Sequence, residues 1–103
     1  MKLELMIDGK KKIFTTPFVS GLSYRKLLEY DQTIDYTDMN TDDYDELIGF
    51  VCNVFGDQFT VNEFWEGIAS HEIVSTLLDT FSYVRTGEVS TKETDDTKNG
   101  EGK

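Results

Sequence analysis

The segment from residue 41 to residue 67, TDDYDELIGFVCNVFGDQFTVNEFWEG, constrains the fold more than any other part of the chain. Its pattern predicts two short helices joined by a tight turn. Thr41 is expected to cap the first helix, with acidic residues in the first turn, where the helix dipole favours negative charge. Gly56 stands where a left-handed residue ends a helix, and Thr60 to Glu63 has the spacing of a capping box that opens the next one.

The first of these helices is apolar over an unusually wide arc. Its apolar side chains cover about 200° of the helical wheel, whereas one packed neighbour needs a stripe of about 100°. The apolar surface beyond that stripe must pack against a second element of the chain or against another molecule. Two interpretations stay open: the central helix of a small domain, or a helix that also presents a binding face.

The N-terminal residues predict a β-hairpin over 2–16. Leu3, Leu5 and Ile7 alternate with Lys2, Glu4 and Met6 in strand 2–8, and the Asp8-Gly9 pair is a strong hairpin-turn signal. The second strand, 10–16, begins with three lysines, which suit an exposed edge strand that must not pair with other chains.

Two further helices complete the predicted fold. The first runs from about 22 to 36, is capped by Ser20 or Ser23, and has as its inner side Tyr24, Leu27, Leu28 and Ile34. The last runs from 71 to 86, is capped by Ser70 and ended by Gly87, and carries an apolar arc of about 140°.

The predicted architecture is therefore α+β: a hairpin packed on about four helices (about 22–36, 42–55, 61–67 and 71–86) in one domain over residues 1–87. Residues 88–103 contain one apolar side chain and predict a disordered polar tail. Each element alone is too small to be stable, so the hairpin must cover part of the helical core. The sequence does not indicate which helix it covers.

Charge is distributed unevenly along the chain. Residues 27–84 hold thirteen Asp or Glu and no Lys or Arg, whereas residues 1–26 carry six bases and two acids. Nucleic-acid binding is disfavoured because phosphate contacts need clustered bases. The asymmetry permits weak homo-oligomerisation or docking to a basic partner, although an acidic excess more commonly serves solubility.

Other features limit the class of protein. A membrane span is not expected, since no run of about 18 apolar residues occurs. The single cysteine, Cys52, falls in the apolar arc and is expected to be buried and inert. With no signal peptide pattern at the N-terminus, these features favour the cytoplasm.

The sequence predicts neither an enzyme nor a cofactor or metal site. No nucleophile motif, paired histidine or ligand cluster occurs. Asp38, Asn40 and Asp42 match the first ligand positions of a calcium-binding EF-hand loop, but Asp43 replaces the required Gly and Gly49 the required Glu.

Three motifs resemble one known family across residues 1–86. They are the opening KLELMIDGKKKIFTTPFV, the stretch VFGDQFT followed by FWEGI, and the segment LLDT at residues 77–80. In this order they resemble the small tail assembly chaperones of long-tailed phages that infect Gram-positive bacteria.

The resemblance implies a non-enzymatic function in building the phage tail. Members of that family bind the long helical tape measure protein, keep it soluble and help bring tail tube subunits to it. Many are also made in a longer form by a ribosomal frameshift, which is a possible route to the tube protein. The expected location is the cytoplasm of the infected host, not the mature virion.

No contact residue is carried over from the family, so the site prediction rests on the aromatic residues around the wide apolar arc. Amphipathic helices are bound by apolar grooves, and aromatic anchors dominate such interfaces. The predicted partner-binding residues are Tyr44, Leu47, Phe50, Val54, Phe59, Phe64 and Trp65.

Two other functions stay open. A self-assembling structural tail or head-completion component would use an exposed strand edge or the basic N-terminus against an acidic neighbour. A host-directed inhibitor that acts as an acidic decoy is supported by net charge alone.

Overall fold

The computed structural model of the protein describes residues 1–89. They form a two-stranded sheet, β1 (Lys2–Ile7) and β2 (Lys10–Thr15), followed by α1 (Gly21–Thr33), α2 (Thr41–Val54) and α3 (Val61–Gly67). A 3₁₀ turn, Ser70–Glu72, then leads into α4 (Ile73–Thr86). This confirms the α+β prediction of an N-terminal hairpin with four helices. Nearly all of the predicted tail, 88–103, lies outside the described residues, and the independence of a domain over 1–87 stays a prediction.

The hairpin is antiparallel and its register runs from Lys2 opposite Thr15 to Ile7 opposite Lys10. Asp8 and Gly9 both have positive φ, 53° and 78°, as the tight two-residue turn requires. Leu3 and Leu5 are buried, whereas β2 is exposed except for Phe14.

The hairpin covers α3, which the sequence left undecided. β1 packs on α3, α2 contacts both α3 and α4, and α1 packs on α4. The approach of β1 to α3 is close at Gly67, where a Cβ atom would lie 2.6 Å from the backbone oxygen of Met6. The motif FWEGI therefore has glycine at its fourth position, Gly67, because the backbone of β1 occupies the space of a side chain.

Two predicted helix starts are wrong. Asn40, not Thr41, caps α2: its side chain accepts the Asp43 N–H, and the Asp43 carboxylate accepts the Asn40 N–H. Ser70 caps nothing with its side chain, because residues 70–72 form the 3₁₀ turn and α4 begins at Ile73. The predicted capping box of Thr60 and Glu63 is confirmed at the start of α3.

The end and the inner side of α1 also differ from the prediction. The helix ends at Thr33, because Ile34 is extended and the Asp35 carboxylate accepts hydrogen bonds from Thr37 in a local turn. Leu27 is buried as predicted, but Tyr24 and Leu28 are exposed. In their place Tyr30 is buried against α2.

Candidate functional site

Helix α4 leaves part of its apolar side uncovered. Leu77 and Phe81 are buried in the core, while Val74 and Leu78 are 54% and 52% exposed. Val74 and Leu78 are four residues apart, so they lie one turn apart on the same face of the helix. This face has no covering element within the described residues.

The exposed face forms one wall of an apolar groove of about 460 Å³ between α2, α4 and the loop of residues 34–40. A volume of this size is within the range of ligand and peptide pockets. The groove is lined by Tyr36, Met39, Tyr44, Leu47, Val74, Leu77, Leu78, Phe81, Ser82, Arg85 and Thr86.

The loop between α1 and α2 supplies the opposite wall with Tyr36 and Met39. The Tyr36 ring lies 5.6 Å from the ring of Phe81 on α4. Its hydroxyl donates a 2.7 Å hydrogen bond to Asp31 Oδ1 near the end of α1. The loop is thereby held against α4 at one end of the groove.

A bidentate ion pair closes the same end. Arg85 Nη1 donates to Asp31 Oδ2 at 3.0 Å and Nη2 donates to Asp31 Oδ1 at 2.9 Å. The Arg85 guanidinium, together with the Tyr36 hydroxyl, lowers the pKa of the Asp31 carboxyl, and Asp31 raises the pKa of Arg85. The one cation that lines the groove is therefore already neutralised by a partner.

Five of the seven predicted partner-binding residues belong to the core. Phe50 packs between the rings of Tyr30 and Phe81, with centroids 5.6 and 6.3 Å away. Phe59 packs against Phe14 of β2 with centroids 4.9 Å apart. The buried five, none more than 3% exposed, are Leu47, Phe50, Val54, Phe59 and Phe64.

The wide apolar arc of α2 is therefore covered by the chain's own elements, as the central-helix interpretation requires. Among the predicted site residues, Leu47 and Tyr44 also line the groove. Trp65 is half-buried next to Tyr44, with ring centroids 6.5 Å apart, and its Nε1 donates a 2.8 Å hydrogen bond to Asp45. Whether these residues bind a partner stays a prediction.

Sequence reasoning missed Tyr36, Met39, Val74 and Leu78 as groove residues. A signal was present for the two on α4, because an apolar arc of about 140° is wider than one packed neighbour needs. Tyr36 and Met39 had no such signal, since a loop residue has no periodicity from which to infer its direction.

No group of three or more His, Cys, Asp or Glu in residues 1–89 is arranged to hold a metal ion. Burial raises the pKa of the Cys52 thiol to about 11, which disfavours the reactive thiolate. None of the described helices is long and apolar enough to cross a membrane.

Comparison with known families decides the class of protein. A family model described as "Phage tail chaperone protein" matches residues 1–103. The chain belongs to this family. No curated protein and no solved structure matches it. The tail assembly chaperone function indicated by the sequence resemblance is thus supported, and the family implies a non-enzymatic role.

The motifs of this tail chaperone have structural functions. In VFGDQFT, Gly56 and Asp57 have positive φ, Gln58 Nε2 donates to the carbonyl oxygen of Thr15, and Phe59 is buried. In LLDT, by contrast, Leu78 is exposed in the groove between buried neighbours. Leu78 is therefore the motif residue whose position suits contact with a partner.

Proposed function

We propose that this tail chaperone binds the helical, aggregation-prone tape measure protein in the cytoplasm of the infected host and keeps it soluble during tail morphogenesis. It also helps recruit tail tube subunits and is not retained in the mature virion. The observation that supports this proposal is the apolar groove, whose exposed Val74 and Leu78 lie at helical spacing in a member of a tail chaperone family.

The groove suits a helical client for a physical reason. A tape measure protein presents long apolar stripes, and such a stripe is removed from water when it lies in an apolar groove. Each contact need only be weak, since many chaperone copies along one client add their effects.

The proposal is tested by co-expressing the tape measure protein with this chain and measuring the client's soluble fraction and co-purification. Leu78→Asp places a charge in the groove on an exposed residue, so we expect a folded protein that loses most client solubilisation. Phe18→Asp is the matched control, because Phe18 is 90% exposed and lies outside the groove.

Two results would contradict the proposal. One is full client solubilisation by Leu78→Asp. The other is a client that is indifferent to the unmodified chain while the purified chain forms a stable ring, which would favour a structural tail or head-completion component instead.

A further inference from the structure

We propose that Asp31 is a positioning residue of the groove: it does not line the groove, but it holds the Tyr36 wall in place and so sets how tightly a client binds. The inference rests on the proposed function in taking the groove as the client site. Asp31 lies on α1, whereas the residues that line the groove belong to α2, α4 and the loop of residues 34–40. Asp31 therefore acts on a client through other side chains.

The Asp31 carboxylate is the shared acceptor of two groove residues. Its Oδ1 accepts the Tyr36 hydroxyl at 2.7 Å and Arg85 Nη2 at 2.9 Å, and its Oδ2 accepts Arg85 Nη1 at 3.0 Å. Hydrogen bonds to a carboxylate are shorter and stronger than those between neutral groups. Tyr36 belongs to the loop and Arg85 to α4, so one side chain of α1 joins the two opposite walls of the groove.

The loop that carries Tyr36 has few other ties to the helices. The hydrogen bonds that Asp35 accepts come from within the loop and close a local turn. Within the described part of the chain, the Tyr36 hydroxyl makes the one side-chain hydrogen bond that joins residues 35–39 to a helix. Met39 adds apolar packing against the core. The position of the Tyr36 wall therefore depends on Asp31.

The position of Tyr36 matters because its ring belongs to both the core and the groove. The ring lies 5.6 Å from the ring of Phe81, a core residue that is 8% exposed, while Tyr36 itself is 38% exposed. Without the hydrogen bond to Asp31, a client would have to order the Tyr36 side chain as it binds, and ordering a side chain weakens binding. A wall that is fixed before the client arrives avoids this cost.

The first test needs no client. Asp31→Ala removes the acceptor, whereas Tyr36→Phe removes the hydroxyl and keeps the ring. In both variants we expect the backbone amides of loop 34–40 to exchange hydrogen about three- to tenfold faster than in the unmodified chain, measured by mass spectrometry, because one hydrogen bond less opposes opening. Tyr30→Phe is the matched control, since Tyr30 also donates to a carboxylate, Glu46 Oε2 at 3.0 Å, but lies outside the groove. It should leave the exchange of the loop unchanged.

The second test measures protection of the client by the full chain. The tape measure protein is diluted from urea into buffer with rising concentrations of the chaperone, and light scattering gives the concentration that halves aggregation. We expect this concentration to rise about three- to tenfold for Asp31→Ala and to stay unchanged for Tyr30→Phe. Circular dichroism checks folding, which we expect Asp31→Ala to retain because the pair with Arg85 is partly exposed.

A double variant separates positioning from general stability. Asp31→Ala combined with Tyr36→Phe should protect the client no worse than Asp31→Ala alone, because the two residues act through one contact. Two effects that add would indicate independent structural roles.

Unchanged exchange of the loop in Asp31→Ala, or additive effects of the two substitutions on client protection, would overturn the inference. Faster exchange with unchanged client protection would also overturn it, and would leave the proposed function intact if Leu78→Asp still abolishes protection. Full protection by Leu78→Asp would instead contradict the proposed function, and the inference would fall with it.

Discussion

Single residues hold the hairpin and the helices in place through contacts that sequence periodicity does not record. Gly67 has no side chain because the backbone of Met6 lies within 3.0 Å of where a Cβ would be. Gly49, in the middle of α2, has no atom within 4 Å of that position. Two helical glycines therefore have opposite expected tolerances for alanine.

We expect Gly67→Ala to destabilise the protein by about 2 kcal/mol, because rigid backbone cannot move away from the added methyl group as a flexible side chain would. Gly49→Ala is the control and should raise stability by about 0.5–1 kcal/mol, since alanine is the better helix former. The free energy of unfolding from urea titration measures both. Equal effects of the two substitutions would contradict the close packing of β1 on α3.

Cys52 illustrates how burial controls reactivity at one atom. Cys52 is 5% exposed, and desolvation is the largest cause that raises the pKa of its thiol to about 11, with Asp57 adding to the shift. At pH 8 about one thiol in a thousand would be ionised. We therefore expect a thiol reagent to modify the folded protein far more slowly than the same chain in denaturant. Equal rates in the two conditions would show that Cys52 is accessible.

At the scale of elements, capping determines where α2 and α3 begin. Both helices start with reciprocal hydrogen bonds, between Asn40 and Asp43 and between Thr60 and Glu63. In each box the acid lies in the first turn, where it also interacts favourably with the helix dipole. The start of α4 has no side-chain cap and follows a 3₁₀ turn. Side-chain caps thus mark the starts of α2 and α3, and of α1, where Ser20 accepts the Leu22 N–H, whereas α4 has no such cap.

The choice between Asn40 and Thr41 as the cap of α2 is directly testable. We expect Asn40→Ala to cost about 1 kcal/mol of stability, because it leaves the Asp43 N–H without its side-chain acceptor. Thr41→Ala is the adjacent control and should change stability by less than about 0.5 kcal/mol, since Thr41 is an exposed residue already inside the helix. The reverse order of the two effects, measured by thermal or urea unfolding, would restore Thr41 as the cap.

At the scale of the whole molecule, the pair of Asp31 and Arg85 joins α1 to α4 across 54 residues of sequence. The pair also holds Tyr36 at one end of the groove. This contact therefore contributes to the stability of the packing between α1 and α4. It also fixes part of the groove wall against which a client would lie.

The Asp31–Arg85 pair predicts a pH dependence of stability. The pKa of Asp31 is lower in the folded protein than in the unfolded chain, so its contribution is complete above the unfolded pKa of about 3.9 and is lost as pH falls through the folded pKa. We expect Asp31→Asn to cost about 0.5–1 kcal/mol at pH 7, because the pair is partly exposed and screened.

Urea unfolding from pH 7 down to pH 3 measures this effect. The difference between Asp31→Asn and the unmodified protein should be constant near neutrality and should shrink below about pH 4. Glu29→Gln is a suitable control, since its ion pairs with Arg25 and Lys26 are more exposed and less well aligned. A difference that stays constant down to pH 3 would contradict a lowered pKa of Asp31.

Much of the architecture follows from local sequence signals alone. Asp8-Gly9 specifies the hairpin turn, Thr60 and Glu63 start α3, and Gly87, with a φ of 85°, ends α4. These features depend on backbone conformations and hydrogen bonds within a few residues, so their chemistry is visible in the sequence. The wide apolar arc of α2 likewise indicated more than one neighbour.

The location of the candidate groove was decided only by the tertiary structure. An apolar arc shows that a helix face must be covered, but it does not show which element covers it. In this protein the hairpin, α3 and α1 fill the space beside Phe50 and Phe59. The uncovered face that borders the groove is on α4, at Val74 and Leu78. Which face stays open depends on how the elements pack together. The sequence by itself therefore determined the elements and the acidic excess of residues 27–84, and packing determined the groove.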